Sequence, residues 1–220
     1  MIAENLKRIT DELPKNVVLV AVSKTKPIED LKIAFDTGQR IFGENKVHEM
    51  VSKSQSLSKE IQWHFIGHLQ RNKVKFLAPF VSLIHGVESI RLLKEINKQA
   101  AKNKRIIEVL LQFYIADEES KFGLSLEEAI AILASDDYKE LQNICVRGVM
   151  GMATYSSDQE KIRNEFKALH HIHKTLKNQF FSGEENFDVI SMGMSGDFQL
   201  AIEEGSNMVR IGSTIFGSRN

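Results

Sequence analysis

The residues of this chain that can do chemistry lie near its two ends. In "VVLVAVSKTKP", Val17 to Pro27, Lys24 follows directly on an apolar, β-branched run. A lysine at the end of a buried strand is costly unless its amine is needed there. An ammonium in such low-dielectric surroundings loses hydration, which favours the free amine as a nucleophile, and the natural use is a Schiff base with a carbonyl. The alternative is an ion pair with Glu44 on the neighbouring strand. Lys26 is the weaker candidate, lying beyond the strand beside Pro27. In "MVRIGSTIFG", Met208 to Gly217, Arg210 and Gly212 are two apart and face the same way along a strand. Gly212 and Ser213 then open a turn into a short helix, where backbone N–H groups attract phosphate and glycine permits close approach. "SMGMSGDF", Ser191 to Phe198, offers a second small-residue turn before a helix. Either turn alone is a weak signal; two on adjacent strands make a phosphate cup. Neither is a Walker loop, and no G-x-G-x-x-G occurs.

Positioning such groups requires strands that end together. Apolar strand-like runs alternate with helix-like segments along the whole chain. Val17–Ser23 leads into Ile28–Asp36, Arg40–Glu44 into Lys46–Leu57, Trp63–Gly67 into Gln70–Leu77, and Val81–Val87 into Ser89–Lys102. Ile106–Ile115 leads into Leu126–Ser135, Ile144–Met150 into Asp158–Phe180, Phe187–Met192 into Asp197–Glu204, and Met208–Gly212 closes the series. Eight strands, each but the last followed by a convincing helix, predict a parallel sheet closed as an α/β (β/α)8 TIM barrel, with a doubly wound open sheet as the rival. Ile2–Leu13 reads as an extra amphipathic helix covering the side left bare by the truncated eighth unit. No linker divides residues 1–220, so a single domain is expected. The C-terminal strand ends then select Lys24, Glu44, Asn45, His64, Gly67, His68 and His85, followed by Met150 to Tyr155, Ser191 to Ser195, and Arg210 to Ser213.

The 220 residues are 42% hydrophobic, enough for a sizeable core, and 29 basic residues balance 29 acidic ones. A zero formal charge gives no electrostatic case for nucleic acid or an anionic membrane. The lone Cys145 precludes an internal disulfide framework and fits a reducing cytosol. Met1 to Leu13 lacks the apolar core of a signal peptide, and no run approaches the ~20 apolar residues of a membrane span. A cytoplasmic protein is expected.

"AVSKTKP", "FGEN", "WHFIGHLQRNK", "GVMGMATY", "SMGMS" and "MVRIGSTIFG", in this order, resemble the pyridoxal phosphate homeostasis family, the bacterial relatives of the proline synthetase co-transcribed protein. That family is similar in fold to the N-terminal barrel domain of alanine racemase and binds pyridoxal 5′-phosphate (PLP). The resemblance spans nearly the whole chain. It implies Lys24 as the Schiff-base lysine, Arg210 facing the pyridine nitrogen, and Gly212, Ser213 and Ser195 in the phosphate cup. Ser191 and Met194 would lie near that cup and Asn45 beside the ring. Gly151, Thr154 and Gly196 depart from the family's usual residues without touching the lysine or the arginine.

The resemblance further implies storage or delivery of PLP within the cell, with apo PLP-dependent enzymes as recipients and a monomer or weak dimer as the assembled form. A guanidinium against the ring nitrogen disfavours its protonation, and the racemase's second acid/base comes from an added β-domain for which no sequence follows the barrel here. No efficient catalysis is therefore expected. The alternatives are a single-domain PLP-dependent amino-acid racemase, with His64, His85 or Tyr155 as second base, and a Schiff-base aldolase without PLP.

Other features have simpler readings. His170 and His173 of "HHIH" share a helix face, but no carboxylate or cysteine stands at metal-ligand spacing, so a solvated face is expected. His64 and His85 read as satisfied histidines at the barrel rim, Met150, Met152, Met192 and Met194 as packing for its mouth, and Trp63 as core. Cys145 lies early in its strand, away from the chemistry. Arg71 to Lys73 reads as a solvated helix start with a lesser prospect of a partner role.

Overall fold

The computed structural model describes residues 1–116 and 122–217. Helix α1 (Ile2–Glu12) precedes the strands β1 (Val18–Val22), β2 (Ile41–Glu44), β3 (Gln62–Phe65), β4 (Leu83–Val87), β5 (Ile107–Tyr114), β6 (Ile144–Met152), β7 (Val189–Met194) and β8 (Met208–Ile211). The helices that follow α1 are α2 (Ile28–Asp36), α3 (Val47–Ser56), α4 (Val74–Leu77), α5 (Ile90–Lys102) and α6 (Leu126–Ala134). After them come α7 (Asp136–Lys139), α8 (Gln159–Phe180), α9 (Phe198–Glu203) and α10 (Ser213–Phe216). Each strand pairs in parallel with the next, and β8 returns to β1 with Val18 opposite Met208 and Ala21 opposite Ile211. The sheet is a closed (β/α)8 barrel, and the open-sheet rival is excluded.

Both faces of the strands are covered, which is why they read as near-continuous apolar runs; β4 is buried at every position. The interior of the barrel is filled by Val20, Leu83, Leu110, Met150, Val189 and Met208, a cluster separate from the larger one between sheet and helices. This apolar plug makes the lower barrel a packed core rather than a channel. The outer helices start where their sequences supply caps. Ser89 accepts the Leu92 N–H at the head of α5, Ser125 and Glu128 form a reciprocal capping box on α6, and Asp158 caps α8. Helix α1 lies against α2 and against the four-residue α10, where Asn5 Nδ2 donates to Ile215 O at 3.1 Å. It covers the short eighth unit, as its amphipathic pattern suggested.

Three local differences have physical causes. The expected helix from Gln70 is a 3-10 turn, Arg71–Lys73, running into the single turn α4. Helix α7, capped by Ser135, is too short to register as a periodic pattern. Strand β6 continues past Met150 to Met152 and carries one extra residue, Arg147, between the pairs Val109–Val146 and Leu110–Gly148. Gly148 has φ +149° there, and a Cβ on it would run into the Val189 backbone, so glycine is required at this bulge.

Candidate functional site

Above the apolar plug, at the C-terminal ends of the strands, lies a cavity of about 580 Å³. Lys24, Asn45, Met194, Ser195, Arg210, Gly212 and Ser213 all line it. Seven of the eight residues singled out from the sequence therefore converge. The eighth, Ser191, is fully buried and sits behind Arg210 rather than in the wall.

Lys24 occupies the turn that follows β1. The Lys26 N–H donates to Ser23 O at 3.1 Å, closing a four-residue turn around Lys24 and Thr25. Thr25 has φ +65°, an unusual conformation for a β-branched residue. The alternative pairing of Lys24 with Glu44 does not hold, because the ammonium partner of Glu44 is Lys53 of α3, at 2.8 Å. Alternation along β2 turns Gly43 towards Val20 inside the barrel and Glu44 outward beneath α3. Burial raises the Glu44 carboxyl above its ordinary range, with hydrogen bonds from Lys53 and Ser23 pulling it back down.

Arg210 projects from β8 on the same face as Met208 of the plug. Its Nη1 donates to Ser191 O at 2.8 Å and Ser191 Oγ at 2.7 Å, and its Nη2 to Gly151 O at 2.9 Å, so Gly151, expected to lie clear of the arginine, touches it through its backbone carbonyl. Three of the five guanidinium N–H groups are used in this way, and the other two have no acceptor among the described residues. Burial lowers its pKa to about 10, opposed by the Asp197 carboxylate, so the group stays cationic at neutral pH. Behind it, His85 Nδ1 lies 3.1 Å from Ser191 Oγ, and His85 Nε2 lies 3.0 Å from His64 Nδ1. Burial pushes His64 down to about 3. Burial first, then the neighbouring His64 ring and the Arg210 cation, hold His85 well below its ordinary value. The two rings are neutral and inside the barrel, not at its rim, and they satisfy one another.

The two small-residue turns meet. Met194 pairs with Arg210 across β7 and β8, and the Gly212 N–H donates to Ser195 Oγ at 3.2 Å. The Met194 N–H donates to Asp197 Oδ1 while the Asp197 N–H donates to Met194 O at 3.1 Å, which presents Ser195 and Gly196 on a tight loop. A Cβ on Gly196 would meet nothing within 4 Å, so that backbone is open to a ligand. The N–H groups of Ser213 and Thr214 have no acceptor within α10, whereas those of Ile215 and Phe216 donate to Gly212 O. Burial raises the Asp197 carboxyl, opposed by the Met194 N–H and by Arg210.

Gln112 and Asp197 are among the lining residues that the sequence reading did not select. Gln112 reaches the cavity from β5, two residues before the strand ends. Asp197, read only as a helix start, closes the β7 turn; an acid three residues after Met194 was the available signal. Of the four methionines, Met152 and Met194 stand at the mouth, whereas Met150 belongs to the plug and Met192 to the layer under the helices. Tyr155 is fully exposed at the mouth. Trp63 is core. The solvated-face reading fails for His173, which stacks on Phe187 at 4.9 Å and is pushed down to about 4 by burial. His170 is exposed, with Nδ1 2.8 Å from Glu204 O.

The family model for the alanine racemase N-terminal domain matches residues 1–220. A pyridoxal phosphate homeostasis protein of Vibrio alginolyticus is 37% identical, covering 100% of this chain and 98% of the relative. Its counterpart in Escherichia coli K12 is 34% identical, covering 100% and 97%. PipY of Synechococcus elongatus PCC7942 without PLP is 31% identical with a TM-score of 0.92, covering 99% of this chain and 100% of that one. The same protein with PLP bound gives 0.89 at 30% identity, with the same coverage. An alanine racemase of Clostridium difficile, at 15% identity and a TM-score of 0.75, shares the fold, and this chain spans 56% of it.

Proposed function

We propose, from the premise that this chain belongs to the alanine racemase N-terminal domain family and, within it, to the pyridoxal phosphate homeostasis proteins, that it binds PLP in the cavity and serves intracellular PLP homeostasis. One observation carries the reading. An amine, a buried guanidinium and two joined small-residue turns border the same cavity. This donor set fits an aldehyde, a pyridine nitrogen and a phosphate, the three polar features of PLP, so the residues present suit the group.

Lys24 Nζ would hold the aldehyde covalently, and Arg210 would donate to the ring nitrogen. Gly212, Ser213 and Ser195 would receive the phosphate, while Asn45 and Met194 would flank the ring. Ser191 acts from behind, fixing Arg210. When bound, PLP supplies an electrophilic carbonyl carbon and, with its ring nitrogen protonated, an electron sink. Arg210 opposes that protonation, because a cation that only donates hydrogen bonds favours an unprotonated acceptor. The neutral His64–His85 pair brings no charge to offset it.

These features favour a single-domain carrier that stores PLP or delivers it to apo PLP-dependent enzymes, cytoplasmic and a monomer or weak dimer, without efficient catalysis. The alternative, a single-domain PLP-dependent racemase, needs a second acid/base in the cavity. His64 and His85 lie beneath the floor and Tyr155 is in solvent, which counts against it. Borohydride reduction and peptide mapping test the binding mode, with a pyridoxyl-phosphate adduct expected on Lys24 and an adduct only on Lys26 overturning it. Turnover of an amino acid near the usual ~10 s⁻¹ would move the assignment to the racemase.

A further inference from the structure

We propose that the buried charge cluster of Glu44, Lys53 and Glu49 is the device that positions Lys24, by fixing the backbone on both sides of it. The proposal rests on Lys24 holding PLP as argued above. Lys53 is 5% exposed, and its ammonium uses all three donors: to Ser23 O at 2.8 Å, Glu44 Oε1 at 2.8 Å and Glu49 Oε1 at 2.7 Å. Ser23, immediately before Lys24, is held at two atoms, since its Oγ also donates to Glu44 Oε1 at 2.6 Å. Thr25, immediately after Lys24, donates its N–H to Glu49 Oε1 at 2.6 Å.

The turn so clamped would not choose this shape unaided. Its third residue has positive φ, a position that glycine or asparagine normally fills. A threonine there persists only when its surroundings over-determine the conformation, and Glu49 supplies that constraint. A cluster serving stability alone could be exchanged for apolar side chains at little cost. This one instead directs every ammonium donor, and both carboxylates, at each other and at the residues flanking Lys24.

The phosphate turns lie on β7 and β8, whereas Lys24 follows β1, so the amine must be held in place relative to a ligand fixed elsewhere. Small displacements of a reacting group cost heavily. Glu49 and Lys53 are positioning residues in this sense; neither lines the cavity.

The experiment compares PLP with 4′-deoxypyridoxine 5′-phosphate, which has the ring and phosphate but no aldehyde, in wild-type protein, Glu49→Ala and Lys53→Met. PLP affinity and the borohydride-fixed fraction should fall about tenfold or more in both variants, while affinity for the analogue stays within about twofold. Adding Thr25→Gly to Glu49→Ala should restore PLP affinity, because glycine takes positive φ without strain. Equal losses for both ligands, unchanged PLP affinity, or no rescue by Thr25→Gly overturns the proposal. Glu49→Ala leaves the Lys53–Glu44 pair in place and carries the test if Lys53→Met does not fold. Failure of the PLP reading itself looks different, since wild-type protein would then bind neither ligand.

Discussion

Lys53→Met keeps the length of a buried side chain and removes its charge. Glu44, fully buried, then loses its ammonium partner, and its Oε2 already has no hydrogen bond among the described residues. Removing one member of a buried ion pair costs about 3–5 kcal/mol, which in a domain of this size lowers Tm by about 6–20 °C. The loss should depend on pH, with a definite sign. Burial already holds the Glu44 carboxyl above its ordinary 4.5, and Lys53 is among the groups pulling it back. Without Lys53 the folded pKa rises further. A carboxyl with a raised folded pKa binds more protons folded than unfolded, so stability falls by ~1.4 kcal/mol per pH unit as pH climbs from the unfolded pKa to the folded one. The deficit against wild type should therefore be small near pH 5, where Glu44 can take up a proton, and grow towards pH 8. Thermal melts of both proteins by circular dichroism at several values across that range measure it, and taking the difference removes the contribution of the histidines. A deficit equal at both ends, or below about 1 kcal/mol at pH 8, would refute the dependence of Glu44 on Lys53.

Lys24→Ala should abolish the imine absorbance and the borohydride-fixed adduct while phosphate contacts retain some weakly held cofactor, as titration spectra would reveal. Pyridoxal should bind at least about tenfold more weakly than PLP, since charge-assisted hydrogen bonds contribute ~1.5–3 kcal/mol each; equal affinities by fluorescence titration would dispose of the phosphate cup. Gly212→Ala brings a Cβ to 3.0 Å from Val22 O and 3.2 Å from Val22 Cβ. It should cost about 1–3 kcal/mol in denaturant melts and weaken PLP binding. Burial depresses the folded pKa of His173 to about 4 from an ordinary 6.5. Its stabilising contribution is therefore complete above 6.5 and lost as pH falls towards 4, and His173→Phe should flatten acid unfolding in that window.

The barrel was legible because each strand is an apolar, β-branched run followed by a helix-length segment. The candidate site was legible because Lys24, Arg210 and the two small-residue turns all fall at strand ends and so border one cavity. Depth and facing were harder to read. Glu44 stood at a strand end, but the period of two that sends Gly43 inward sends Glu44 out to Lys53. The contact between His64 and His85 depends on the register of β3 against β4, which pairs His64 with Leu83 and has no local signature in either strand. Ser191 lies behind the cavity wall rather than in it, because the barrel's stagger sets Arg210 beside Met194 and brings its guanidinium back over Ser191. The clamp on Thr25 was invisible because it opposes local propensity: nothing in "SKTKP" announces a left-handed threonine.

The closing pair of strands, β8 on β1, makes the cavity a property of the finished ring. Lys24 follows β1, Arg210 and Gly212 belong to β8 and the turn after it, and almost the entire chain separates them. Joining such distant segments carries the largest loop-closure entropy in the molecule. A ligand touching both sides staples that seam, and because only the closed form binds it, its stabilisation RT ln(1 + [L]/Kd) falls on the contact hardest to make. During synthesis at ~5–20 residues per second, no site exists until β8 has emerged from the ribosome. Afterwards, if Lys24 and the β8 turn hold PLP as proposed, its scarcity would leave more molecules with this seam open. The steady-state amount of the protein would then rise and fall with the supply of the compound it holds, so that its own abundance becomes a gauge of that supply.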